Sequence, residues 1–190
     1  ICNKAENHFK TLEKIKHLKN DILIEKPLFT KIKHIDILKN KRNIYFSNVF
    51  SFDKSLAQFS KKIINKKIIK GEIIWSDKRK EIRRGKKKKQ NYNINFTLDI
   101  FSHLVSLLKI INNNRIDQIT KCKIEKFNND ESFFKFQIKK VKYYIKINRK
   151  DKSRKRLIIM TEKKRKNIID FSKDHILGSY NDANKIKKFS

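Results

Sequence analysis

The chain has 190 residues, with 50 Lys and Arg against 19 Asp and Glu and a formal charge of +31 at neutral pH. That length suits one domain, or one domain with an extension, and 38% hydrophobic residues including fourteen Phe exclude a wholly disordered polyelectrolyte. No run reaches the roughly 18 uncharged apolar residues that a membrane-spanning helix needs.

So large a positive field repels itself in isolation and concentrates the chain on a polyanion, where condensed counterions are released. Nucleic acid is the first candidate partner. An anionic membrane surface ranks second, because the basic residues are spread along the chain instead of lining one amphipathic helix. The chain opens at Ile1 and its only methionine is Met160, which reads as a processed product or an incomplete reading. The bias to Lys, Ile and Asn suggests an AT-rich coding genome, as in organelles and some parasites. Cys2 and Cys122 lack any ligand-like spacing and are expected as free thiols.

In chain order, residues 1–42 read as a basic, mostly helical extension, with Phe9, Leu12, Ile15 and Leu18 spaced three apart and a break at Pro27. From Asn43 the segment NIYFSNV alternates as a strand. The helix SFDKSLAQFSKKII follows, with Leu56, Phe59 and Ile63 on one face and Ser51 or Asp53 as its cap. KIIKGEIIW, 67–75, reads as a strand interrupted at Gly71. A second helix begins near Asn95 to Thr97, carries Leu98, Phe101, Val105 and Leu108 as a stripe, and ends at Asn112. TKCKIEKF and FFKFQIKKVKYYIKI flank a polar turn as an antiparallel hairpin, with a third strand after Lys139 and Lys140. RLIIM, the strand NIIDF and a final helix complete the chain. The expected fold is α+β: a small antiparallel sheet packed with two or three helices, with a core over 43–190 and basic loops at 77–90 and 148–156.

Catalysis needs convergent acids, histidines or nucleophiles. His103 follows Asp99 by four residues, so the two share a helix face. They make either a metal or acid/base pair or a polar edge on an apolar helix, and the absence of a third ligand favours the edge. Asp174 and His175 are adjacent and diverge; His8, His17 and His34 are read as solvated. No glycine-rich phosphate loop occurs. The expectation is therefore no catalytic residue, no metal and no cofactor.

Basic residues remain. In DKRKEIRRGKKKKQ, residues 77–90, Arg79, Arg83 and Arg84 bring planar forks suited to phosphate, and Lys78, Lys80, Lys86, Lys87, Lys88 and Lys89 bring adaptable charges. The second cluster supplies Arg149, Lys150, Lys152, Arg154, Lys155 and Arg156. Phe133, Phe134, Phe136, Tyr143 and Tyr144 alternate with lysines and suit a core more often than base stacking.

The order LVSLLKIINN, TKCKIEKF, FFKFQIKKVKYYIKI, NIIDFS and DHILGSYNDANKIKKF, over residues 96–189, resembles the bacterial-type large-subunit ribosomal protein six family, with Ser172, Asp174, Gly178, Ala183 and Ile186 in similar places. The resemblance implies a non-enzymatic, structural rRNA-binding constituent of a ribosome, expected in the large subunit and acting by phosphate neutralisation through the basic loops, and the AT-rich coding points to an organellar one, mitochondrial or plastid. Its partners would be rRNA and neighbouring ribosomal proteins, with no membrane and no small-molecule substrate. The alternatives are a DNA-associated or RNA-processing basic protein, and a nuclease or modification enzyme using Asp99 and His103.

Overall fold

The computed structural model describes residues 1–38, 43–47, 49–78, 82–83, 86–87, 94–113, 116, 119–163 and 165–172. Near the N-terminus, helix α1 (Ala5–Ile15) leads into strand β1 (Ile22–Ile24), a 3₁₀ segment at Ile32–Leu38, and strand β2 (Ile44–Phe46), which pairs parallel with β1. Leu12, Ile22, Ile24 and Phe29 form a small core of their own. The described part of this range, residues 1–38, is therefore no mostly helical extension. α1 is short, and the next apolar residues, too few and too β-branched for another helix, pair as a strand with Ile44 to Phe46.

A second 3₁₀ segment, Val49–Phe52, precedes helix α2 (Lys54–Ile63), whose N-terminus is capped as expected: the Asp53 carboxylate accepts from the Leu56 N–H. Strands β3 (Lys70–Lys78), β4 (Ile82–Arg83) and β5 (Lys86–Lys87) follow, then helix α3 (Phe96–Ile111) and strands β6 (Ile119–Phe127), β7 (Glu131–Ile138), β8 (Val141–Asp151), β9 (Lys155–Glu162) and β10 (Arg165–Asp170). Six strands make one sheet in the order β10-β9-β3-β8-β7-β6. It is mixed, because β3 lies between β9 and β8 and runs parallel to β8, and this corrects the expected antiparallel sheet. No local signal could reveal this pairing: β3 enters from a segment some 70 residues away along the chain and inserts between β8 and β9, which are themselves consecutive.

Burial alternates along the strands as one covered face demands. Ile73 and Trp75 of β3, Tyr143, Ile145 and Ile147 of β8, and Ile158 and Met160 of β9 are buried with Leu56, Phe59 and Ile63 of α2 and Ile100, Leu104, Leu107 and Ile111 of α3. On α3 the expected stripe is rotated, and Phe101 is half exposed. The helix is apolar almost all round, so two stripes were available, and the one that faces the sheet is Ile100, Leu104, Leu107 and Ile111.

Gly71 does not interrupt β3, whose pairing with β8 runs unbroken from Lys70 to Ser76. Its reason is a close approach: a Cβ there would stand 2.4 Å from Tyr143 Cε1. That ring cannot retreat, being 1% exposed and tied by its hydroxyl to Asn112 Oδ1 at 2.7 Å. The same burial raises the Tyr143 phenol to about 12. Gly71→Ala should destabilise the chain by about 1–3 kcal/mol through overpacking, read as a lower urea midpoint at unchanged slope.

Candidate functional site

The polar centre assembles where β1 ends. Glu25 and Lys26 follow directly on β1, beyond the carboxyl end of a parallel pair, the edge at which ligand-binding residues gather in α/β sheets. His8, expected as solvated, is 1% exposed, with its ring nitrogens 2.9 Å from the Pro27 and Asn3 carbonyl oxygens. This imidazole fixes the turn that carries Lys26.

From the other side comes the first turn of α3. Asn95 caps it, accepting from the Thr97 N–H at 2.9 Å, and the Thr97 hydroxyl meets that of Ser132 at 2.6 Å. Arg149 lies over the Phe96 ring and donates to the Ile94 carbonyl. With its start pinned, α3 presents Asp99, and Lys26 Nζ stands 3.1 Å from Asp99 Oδ1. Both groups keep over a third of their side-chain surface open to solvent, so the pair is reachable from outside.

One turn further along α3 is His103, stacked on Trp75 with ring centroids 5.6 Å apart and planes 19° from parallel. Phe50 meets both rings edge-on. Burial holds the imidazole well below its ordinary 6.5, at about 4; the positive charges of Lys26 and Arg156 press the same way, and Asp99 and Glu25 oppose them. His103 is thus neutral at physiological pH, and its Nδ1 is buried without a hydrogen-bond partner. An ammonium, a carboxylate and a neutral imidazole therefore share one neighbourhood. Such a set can bind an oxygen, orient it and take up its proton.

The residues expected to bind phosphate fall in several parts of the fold. Lys78 ends β3 in solvent; Arg83, Lys86 and Lys87 belong to β4 and β5; Arg79, Lys80, Arg84, Lys88 and Lys89 lie outside the described residues. The stretch 148–156, expected as a loop, is the end of β8, a bend at Lys152 and Ser153, and the start of β9. Its arginines turn inward. Arg149 is 3% exposed and pairs with Asp130, while Arg156 is 9% exposed and pairs with Asp77. Lys150 and Lys155 are exposed and pair with Asp130 and Asp151, Lys152 is exposed, and Arg154 is half-buried. Sequence reasoning weighed Asp99 with His103 and missed Lys26 and Trp75. The available signal was Glu25-Lys26-Pro27 directly after the apolar strand ILI, together with the chain's one Trp.

No group of three or more His, Cys, Asp or Glu able to hold a metal ion occurs among the described residues. Both cysteines are free and exposed.

No family model matches the chain, and no curated protein matches it significantly. Solved structures do. A myo-inositol dehydrogenase from Corynebacterium glutamicum is 13% identical over 90% of this chain and 55% of its own, with a TM-score of 0.65. A dehydrogenase from Thermus thermophilus in complex with NAD and UDP-GlcNAcA is 14% identical over 91% of this chain and 60% of its own, at 0.66. The UDP-N-acetylglucosamine 3-dehydrogenase of Acidithiobacillus ferrooxidans is 13% identical over 90% and 56%, at 0.61. At such identities the likeness is one of fold. The chain spans little more than half the length of each.

These likenesses overturn the ribosomal assignment. The fold is shared with dehydrogenases, so the reading as a non-enzymatic ribosomal protein, with rRNA and ribosomal proteins as partners and no small-molecule substrate, does not stand. It failed because a helix followed by antiparallel strands recurs in many unrelated folds, and the strand that distinguishes this one, β3, lies upstream of the residues compared.

NAD itself does not fit the described residues. Their main sheet has a single parallel pair where a dinucleotide-binding unit stacks successive parallel strands. Gly71 is filled by a tyrosine ring instead of opening to a phosphate. The N-termini of α2 and α3 carry the Asp53 cap and Asp99, whose charges repel phosphate.

His103 carries a stability prediction. Folding holds the ring neutral, so the unfolded chain takes up its proton first, near pH 6.5, and the folded chain only near pH 4. Stability from this group is complete above 6.5 and falls as pH drops to about 4, by at most about 3 kcal/mol. Urea denaturation in steps across that window should show His103→Gln losing less stability than the parent chain. Equal losses would contradict the assigned burial of the ring.

Proposed function

We propose that this chain is the substrate-side unit of an oxidoreductase acting on small hydroxyl-bearing molecules, with Lys26, Asp99 and His103 as its polar centre. The observation that carries this reading is the solvent-accessible Lys26–Asp99 pair at 3.1 Å beside a neutral, buried-edge imidazole. The fold likeness to dehydrogenases, whose names include enzymes of a cyclic polyol and of a nucleotide sugar, supports the substrate class.

Each group has a separate task. Lys26 Nζ donates to the substrate oxygen and stabilises negative charge that builds there as its proton leaves. Asp99 holds the ammonium in place through its Oδ1. His103, held neutral by burial and by the positive charges of Lys26 and Arg156, supplies the acceptor for the proton of a substrate hydroxyl. Trp75 and Phe50 shield the imidazole from water on their side. Since NAD has no grip among the described residues, these tasks are binding, orientation and proton movement.

The test is titration of the full chain with myo-inositol and UDP-N-acetylglucosamine, followed by calorimetry and by amide shifts. Saturable binding of at least one, with shifts at Lys26, Asp99 and His103, is expected. Lys26→Met should weaken it about tenfold or more, the loss of one charge-assisted hydrogen bond. Affinity unchanged by both Lys26→Met and His103→Gln would remove the centre from the binding site.

A further inference from the structure

Trp75 and Arg156 are cross-strand partners on β3 and β9, and the Arg156 guanidinium carbon lies 3.7 Å from the centroid of the indole. The fork is not free to leave. Its Nη2 donates to Asp77 Oδ1, and Asp77 is itself 3% exposed, two residues beyond Trp75 on the same face of β3. The backbone of Arg156 is fastened as well, its N–H donating to the Ser172 hydroxyl and its carbonyl accepting from the Phe171 N–H. Phe171 in turn packs on Phe50, the ring that meets both Trp75 and His103 edge-on.

A buried ion pair of this kind adds little net stability, because desolvating two charges offsets most of their attraction. Apolar residues would fill the same space at no such cost. What a guanidinium adds is a rigid plane and a permanent charge, and both bear on the indole that supports His103. We propose that Arg156 is a positioning residue for His103: anchored by Asp77 and stacked on Trp75, it sets the plane of the indole that carries the imidazole and keeps a fixed positive charge behind that ring.

This deepens the substrate-side reading and rests on it for its functional meaning, whereas the electrostatic claim is testable without substrate. The charged groups that act on His103 are Lys26 and Arg156, which disfavour its protonation, and Asp99 and Glu25, which favour it. Burial acts in the same direction as the cations. Removing Arg156 therefore leaves burial and Lys26 in place and takes away one identifiable contribution.

The experiment follows the His103 ring resonances by NMR across pH in the full chain, in Arg156→Met and in Asp77→Leu/Arg156→Met. The double variant covers the case in which Asp77, buried and deprived of the Arg156 guanidinium, unfolds the single one. In whichever variants fold, the His103 midpoint should rise by at least about half a unit, roughly threefold in its proton-binding constant, with altered ring-current shifts from Trp75. Arg156→Lys should keep the low midpoint yet alter those shifts, since an ammonium supplies charge without the planar stack. A midpoint unchanged in any folded variant lacking the Arg156 charge would overturn the proposal. Failure of the sugar and polyol titrations, with the His103 midpoint moving as stated, would instead sink the substrate reading alone.

Discussion

The contact between Lys26 and Asp99 joins residues 73 apart along the chain and ties the small N-terminal core to the helix that lies on the main sheet. It is half in water, so it contributes at most about 1 kcal/mol to stability. Its importance is placement. The rest of the architecture reads as a means of bringing these two groups together: β1 delivers Lys26 at its carboxyl end, His8 holds the turn behind it, and the pinned start of α3 delivers Asp99.

Around that pair the charges are arranged unequally. His103 sits one helical turn from Asp99, which would favour an imidazolium, yet burial against Trp75 and Phe50 and the cations at Lys26 and Arg156 prevail. The outcome is an acceptor beside a donor, the combination that moves a proton to or from an oxygen. Arg149 and Arg156 also show how a basic chain spends part of its charge internally. Both are buried and paired with Asp130 and Asp77, one at the root of α3 and the other behind the indole.

Much of the local structure was legible. The Asp53 cap, the span of α3 from Asn95 to Asn112, and the turn at Lys139 and Lys140 all rest on short-range chemistry, and each appears where that chemistry puts it. What could not be read was non-local. Whether β3 pairs with β8 or with β6 leaves no mark on KGEIIW itself, and the choice between two apolar stripes on α3 depends on which face the sheet covers. The site was half visible. Asp99 and His103 have the spacing of a pair, but as two residues on one helix they gave no reason to prefer chemistry over a polar edge. The third group, Lys26, was hidden among 50 basic residues, where composition made any single lysine unremarkable. Net charge misled for a related reason: it speaks to solubility and association and says nothing of fold.

The most direct test is a crystal structure of the full chain grown with a cyclic polyol or a nucleotide sugar. The account predicts a ligand hydroxyl within hydrogen-bond distance, about 2.7–3.1 Å, of both Lys26 Nζ and a ring nitrogen of His103, with Asp99 still holding the ammonium. A ligand bound elsewhere, with Lys26 turned away from Asp99 and His103 closed off by neighbouring side chains, would contradict it.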